Sequence, residues 1–232
     1  MPTDAAGVYV LVATVTVNPS FNAGWNGFGY PLFGSQGVTT ALSSIEGQYS
    51  ILASPSVDGS GDWLVYDPTV LPPFDALVNT LDQLEFARPY WVHVLTPTTL
   101  YLNPTASQEM VRQPTFLADE QPPGVFYGWI TATTGLQPKE GDTLTAWVDG
   151  TLCGETTLEM VNGRLAYSLH VAAASKESHT CGSPDKTIIL RLGDARLVDE
   201  LVWTNREAQF QSLDSDAGAT SSLSIYLPVI QH

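Results

Sequence analysis

Apolar positions in this chain either alternate with polar ones or run together as β-branched and aromatic stretches, and turn formers separate them. Val8 to Val17 reads Val-Tyr-Val-Leu-Val-Ala-Thr-Val-Thr-Val, a composition that favours a long opening strand over a helix. Asn18-Pro-Ser ends it, and Gly24-Trp-Asn-Gly-Phe-Gly-Tyr-Pro follows, where glycines permit tight turns and the rings supply large apolar faces. Tyr49 to Ala53 and Trp63 to Tyr66 read as strands joined by the hairpin turn Asp58-Gly-Ser-Gly-Asp62. Leu77, Leu81 and Leu84 share one helical face, which makes Phe74 to Leu84 the best helix candidate. Tyr90 to Leu95 and Thr99 to Leu102 form a closing hairpin around Thr-Pro-Thr.

Asn103 to Pro123 carries Pro, Gln, Thr and Glu with hydrophobes too scattered for a period, so it reads as a linker between mobile units. Strand patterns resume at intervals expected of a sandwich: Phe126 to Thr133, Thr143 to Val148, Thr156 to Met160, Leu165 to Val171, Thr187 to Leu192, Leu201 to Trp203 and Gln209 to Leu213. Asp149-Gly and Asn162-Gly mark two of the hairpins. In Leu165 to Val171 the set Leu165, Tyr167, Leu169 and Val171 faces a core, and Ala166, Ser168 and His170 face solvent. Asp214 to Ser222 is a polar tether, and the apolar terminal stretch Ile225, Tyr226, Leu227, Val229 and Ile230 is a candidate assembly strand that needs a partner edge.

Composition strengthens the β assignment. Charged residues are only 14% of the 232, while Gly, Pro, Ser and Thr are abundant, the balance of short strands joined by many turns. The net charge of −15 gives a field that repels phosphate backbones, which excludes nucleic acid as a partner. No apolar run approaches the ~18 residues that a membrane-spanning helix requires. The cysteines Cys153 and Cys181 have no Cys-x-x-Cys or Cys/His company, so they read as a structural disulfide, and the chain as a protein of an oxidising space. No signal peptide is visible, so an exported form implies a leader absent from this chain.

Two resemblances add to this reading. Gly24-Trp-Asn followed by Tyr30-Pro-Leu, then Trp63 with Tyr66 and Pro68, then Tyr90-Trp-Val, resembles a repeated extracellular module of large surface proteins in Chloroflexi-type bacteria. The later series, with Leu-Thr-Ala-Trp-Val-Asp-Gly, the two Cys-Gly steps and Trp203-Thr-Asn, resembles an Ig-like module of secreted surface proteins. The resemblance implies a seven-stranded Ig-like or prealbumin-like sandwich used as a spacer or adhesion module.

Candidate chemistry is sparse. His93, His170, His179 and His232 lie at no metal-ligand spacing, Asp58 and Asp62 lack the alternating carboxylates of a calcium loop, and no phosphate loop, dinucleotide fingerprint or nucleophile elbow occurs. Glu155 with Glu159, or Asp142 with Asp149, could meet in a cleft as an acid pair for glycoside cleavage. Trp25, Phe28, Tyr30, Trp63 and Tyr66 are ring platforms for stacking on sugars, with Asn26 and Asp62 nearby as hydrogen-bonding groups, and structural burial is the competing role of the rings.

The sequence therefore predicts a mainly β chain: a β-rich module at 1–103, a linker at 104–123, a disulfide-containing sandwich at 124–213, and a tether with terminal strand at 214–232. It predicts a non-enzymatic, cofactor-free, metal-free structural or adhesion protein, extracellular or on the cell surface. The partners expected are other subunits or surface components, glycans among them. A carbohydrate-binding protein is the alternative, and accessory domains of a secreted hydrolase the next.

Overall fold

A computed structural model describes residues 18–58, 60–102, 121–132, 136–175 and 180–214. The expected opening strand at Val8 to Val17, the terminal stretch at Ile225 to Ile230 and most of the linker lie outside the described residues. The protein is mainly β, with 50% of the described residues in strands and 7% in helix. Among the described residues no sheet contains strands from both halves of the chain.

The N-terminal half holds β1 (Ser20–Phe21), β2 (Gly24–Gly29), β3 (Ser35–Gly37), β4 (Tyr49–Pro55), β5 (Trp63–Tyr66), β6 (Gln83–Glu85), β7 (Pro89–Val94) and β8 (Thr98–Thr99). Its main sheet is antiparallel with order β2-β7-β4-β5, and β1-β8 and β3-β6 are small two-stranded pairs. Alternation along β7 sends Tyr90, Val92 and Val94 into the core of this half, and Trp91 and His93 to the opposite face. Along β4 every residue from Tyr49 to Ser54 is buried, because both faces of the sheet are covered.

Two expectations fail here. Only Asp75–Val78 is helical. Asn79 ends the turn by bonding both backbone groups of Asp67, and the Leu81 N–H then donates to Val65 O at 2.9 Å, so the chain pairs with the edge of β5. The three leucines serve two cores: Leu81 and Leu84 fill that of the N-terminal half, whereas Leu77 packs toward the C-terminal half. The closing hairpin is likewise absent, since β8 pairs with β1 and not with β7.

The C-terminal half holds β9 (Gly124–Thr131), β10 (Thr143–Val148), β11 (Thr151–Thr157), β12 (Glu159–Val161), β13 (Arg164–Val171), β14 (Thr187–Leu192), β15 (Ala195–Val202), β16 (Ala208–Phe210) and β17 (Leu213–Asp214). They form two sheets, β11-β10-β14-β15 and β12-β13-β9-β16, the second extended by β17 alongside β9. The seven expected strands become nine elements because two of them divide. Thr156 to Met160 turns a corner at buried Leu158 and passes from one sheet to the other, while Gln209 to Leu213 splits at residues 211–212, where the chain crosses Gly128. A Cβ on Gly128 would lie 2.2 Å from Gln211 O, so only glycine admits that crossing.

The turn chemistry is as predicted. Asp149-Gly150 and Asn162-Gly163 each place both residues at positive φ, between 47° and 81°, the geometry of tight hairpins. Phe126, Leu144, Val148, Tyr167, Leu169, Ile188, Leu190 and Trp203 form one core between the sheets. The Trp203 indole N–H is satisfied by Val171 O at 3.0 Å and the Tyr167 hydroxyl by Gln211 O at 2.6 Å. Cys153 and Cys181 are bonded, with Cα atoms 5.5 Å apart, tying β11 to the segment before β14.

The far face of the β9–β13 sheet is not solvent. Val125, Tyr127 and Trp129 from β9, Ala166 from β13 and Ala208 from β16 pack against Ile51, Ala53, Val65, Val70, Phe74 and Val78 of the N-terminal half. Phe74 is the anchor: its ring lies 4.5 Å from Trp129, 5.2 Å from Tyr127 and 5.6 Å from Phe210. Arg164 covers Trp129 at 4.3 Å. The expected mobility between units gives way to a seam with its own buried apolar cluster.

Candidate functional site

Polar contacts along the seam converge on one short segment, residues 205–208, which leaves the core at Trp203 and lies across the N-terminal sheet. Trp25 Nε1–H donates to Asn205 Oδ1 at 3.1 Å, and buried Asn205 in turn donates to Pro122 O at 2.9 Å. The Ser50 hydroxyl donates to the Arg206 carbonyl, which leaves its oxygen to accept from His93 Nδ1–H at 2.8 Å. The Ala208 N–H donates to Asp67 Oδ2 at 2.8 Å, and Asp67 Oδ1 accepts both the N–H and the hydroxyl of Thr69, at 2.8 and 2.6 Å. Asp67 is 0% exposed, and these donors replace the water it gives up. Burial lowers the His93 pKa below its ordinary 6.5, Arg206 adds to the effect and Glu207 opposes it.

Beside this contact the halves diverge and leave a cleft of about 820 Å³. Asp62 and Trp63, at the end of the β4–β5 hairpin, and Thr80 form one wall. Glu155 from β11, Glu159 from β12, and Ser168 and His170 from β13 form the other, with Gln121 between them. The carboxylate residues are exposed, and Trp63 and His170 are half-buried. Burial pushes His170 down to about 4 from 6.5, and the nearby Asp62 charge opposes the shift only in part. Its imidazole makes no hydrogen bond to a described residue. A Cβ on Gly154 would meet His170 O at 2.1 Å, so glycine lets β11 approach β13 and close the inner end of the cleft beside the disulfide.

The structure separates the residues named from sequence. Phe28 and Tyr30 are 4% and 0% exposed, packed in the N-terminal core, and present no face to a ligand. Phe28 stacks near Phe21 and Tyr90, and the Tyr30 hydroxyl donates to Gln36 Oε1 at 2.9 Å. Asn26 is spent on its own turn, its amide donating to Asn22 O and Gly24 O at 2.7 and 2.8 Å. Tyr66 packs against the N-terminal core, and burial raises its pKa. Trp25 belongs to the seam. Trp63 alone of the rings lines the cleft, held edge-to-face against Trp91 at 5.4 Å.

Of the two carboxylate pairs, Glu155 and Glu159 line this one cleft. Asp142 instead accepts from the Lys139 N–H in a turn, and Asp149 pairs with Lys186 on the surface. Asp58 accepts from the Ser60 N–H at 2.9 Å within its own turn, and Ser60 is among the donors that hold its carboxyl down at about 2. Among the described residues no three His, Cys, Asp or Glu side chains gather to hold a metal, and no helix is long and apolar enough to cross a membrane. Asp67, Asn205 and His170 were not legible as site residues, because each acquires its role from the opposite half of the chain. Comparison with family models, with curated proteins and with solved structures yields no match for this chain.

Proposed function

We propose that this chain is a non-enzymatic structural and adhesion protein, secreted or held at the cell surface, in which two β-rich halves act as one stiff unit. The observation that carries this reading is the apolar seam around Phe74, fastened by the Asn205, Arg206 and Ala208 contacts. A spacer transmits position only when its parts do not pivot, and a buried cluster with satisfied polar groups resists pivoting. The disulfide fits an oxidising compartment, and a net charge of −15 favours a well-solvated surface. The resemblance of the first half to a repeated surface module of Chloroflexi-type bacteria, and of the second to an Ig-like module of secreted surface proteins, supports the same reading.

Labelling intact source cells with a membrane-impermeant amine reagent tests it. The reading predicts that the chain is labelled on unbroken cells and that alkylation without reductant modifies neither cysteine. Labelling only after lysis, with two alkylated cysteines, contradicts it.

A further inference from the structure

We propose that the cleft between the halves binds a neutral oligosaccharide, with Trp63 as the stacking surface and Asp62, Glu155 and Glu159 as acceptors for sugar hydroxyls. This deepens the adhesion reading by giving it a ligand, and rests on that reading only for its biological use.

The cleft has the size and position of a ligand site. Its volume of about 820 Å³ falls within the range usual for small-molecule sites, which occur preferentially where two structural units meet. Its walls come from both halves, Asp62 and Trp63 from one and Glu155, Glu159 and His170 from the other, so a ligand would bridge them.

The side chains decide the ligand class. Trp63 is half-buried, packs with the seam cluster and stands edge-to-face against Trp91, which fixes its plane, and it lines the cleft. A flat, orientationally fixed indole suits the C–H face of a pyranose. His170 presents a neutral imidazole, one donor and one acceptor, that hydrogen-bonds to no described residue. Ser168 adds a hydroxyl that serves in either sense, and Thr80, whose oxygen accepts the Val65 N–H at 3.2 Å, adds one that can donate. A polyhydroxylated ligand matches this mixture, because each of its hydroxyls both gives and accepts. An ammonium ligand brings donors only and leaves the imidazole N–H unmatched. No Lys or Arg is among the described lining residues, and three carboxylates stand at the rim, so an acidic sugar is repelled.

Calorimetric titration of the full chain with cello-, xylo-, manno- and chito-oligosaccharides tests the proposal, with oligogalacturonate and spermidine as anionic and cationic comparators. The expected result is binding of at least one neutral series with a Kd of about 1 mM or tighter, and of neither comparator more tightly. Trp63→Ala should weaken that binding about tenfold or more, the effect of truncating a central aromatic contact. Glu155→Gln and Glu159→Gln, which keep shape and remove charge, should each weaken it measurably, and Asp149→Asn, outside the cleft, should leave it unchanged. Near-UV circular dichroism reports folding, and if Trp63→Ala unfolds, the two carboxamide variants decide. The proposal is overturned if no neutral saccharide binds, if binding survives the cleft substitutions in folded protein, or if only a charged comparator binds. Absence of binding by a chain that intact cells expose removes the glycan and leaves the surface reading standing. Binding by a chain labelled only after lysis does the reverse.

Discussion

Asp67 shows how one side chain can fix the relation between distant parts of a chain. It is buried without a cationic partner among the described residues, and Thr69 and Ala208 supply the hydrogen bonds that make this tolerable. Asp67→Ala removes the acceptor of the Thr69 and Ala208 N–H groups and should cost about 1–3 kcal/mol in urea unfolding, above a surface substitution. The histidines set the response to acid. His170 has a folded-state pKa near 4 against an ordinary 6.5, so the unfolded chain binds the proton more readily. Stability is therefore full above pH 6.5 and declines as pH falls toward 4, by an amount on the order of 3 kcal/mol from this group. His93 shifts in the same direction and adds to the loss. Urea titrations at pH 7.5 and 4.5 should show the decline, and His170→Asn should flatten it. His170 was readable only as a strand residue of the outward set: period-2 alternation tells which side chains share a face but not what covers that face.

The elements that sequence reading identified are those whose signals are local. Asp149-Gly150 and Asn162-Gly163 specify tight hairpins by their own backbone preferences, and the structure places hairpins there. The helix at Phe74 to Leu84 was misread because Leu77, Leu81 and Leu84 keep helical spacing while serving two separate cores. Nothing in that window reveals that Asn79 and Thr80 will pair with β5. The link from β16 to β17 depends on Gly128, whose absent Cβ leaves room for Gln211. Gly128→Ala should displace residues 211–212 and shorten amide hydrogen-exchange protection across β16 and β17, while the β10–β14 pairing, in the other sheet, keeps its protection. The Cys153–Cys181 bridge closes a loop with a sequence separation of 28, and its reduction should cost about 3.5 kcal/mol by the chain-entropy relation, measurable as a lower urea midpoint.

The whole molecule is two β-rich halves that bury surface against each other, and this was the least legible feature of the sequence. The stretch before Gln121 has the composition of a linker, and composition alone points to freely moving units. The contrary signals were present but ambiguous. Tyr49-Ser-Ile-Leu-Ala-Ser54 is buried throughout, as a strand covered on both faces requires, yet such a run fits a single core equally well. The cleft was illegible for the same reason, since Asp62 and His170 become neighbours only when the halves dock. Phe74 sits at the centre of the seam, and Phe74→Ala should cost about 3–5 kcal/mol and uncouple the halves. Differential scanning calorimetry of the unmodified chain tests the docking most directly. A single transition whose van't Hoff and calorimetric enthalpies agree is the predicted result. Two resolved transitions, each unmoved by Phe74→Ala, would contradict it.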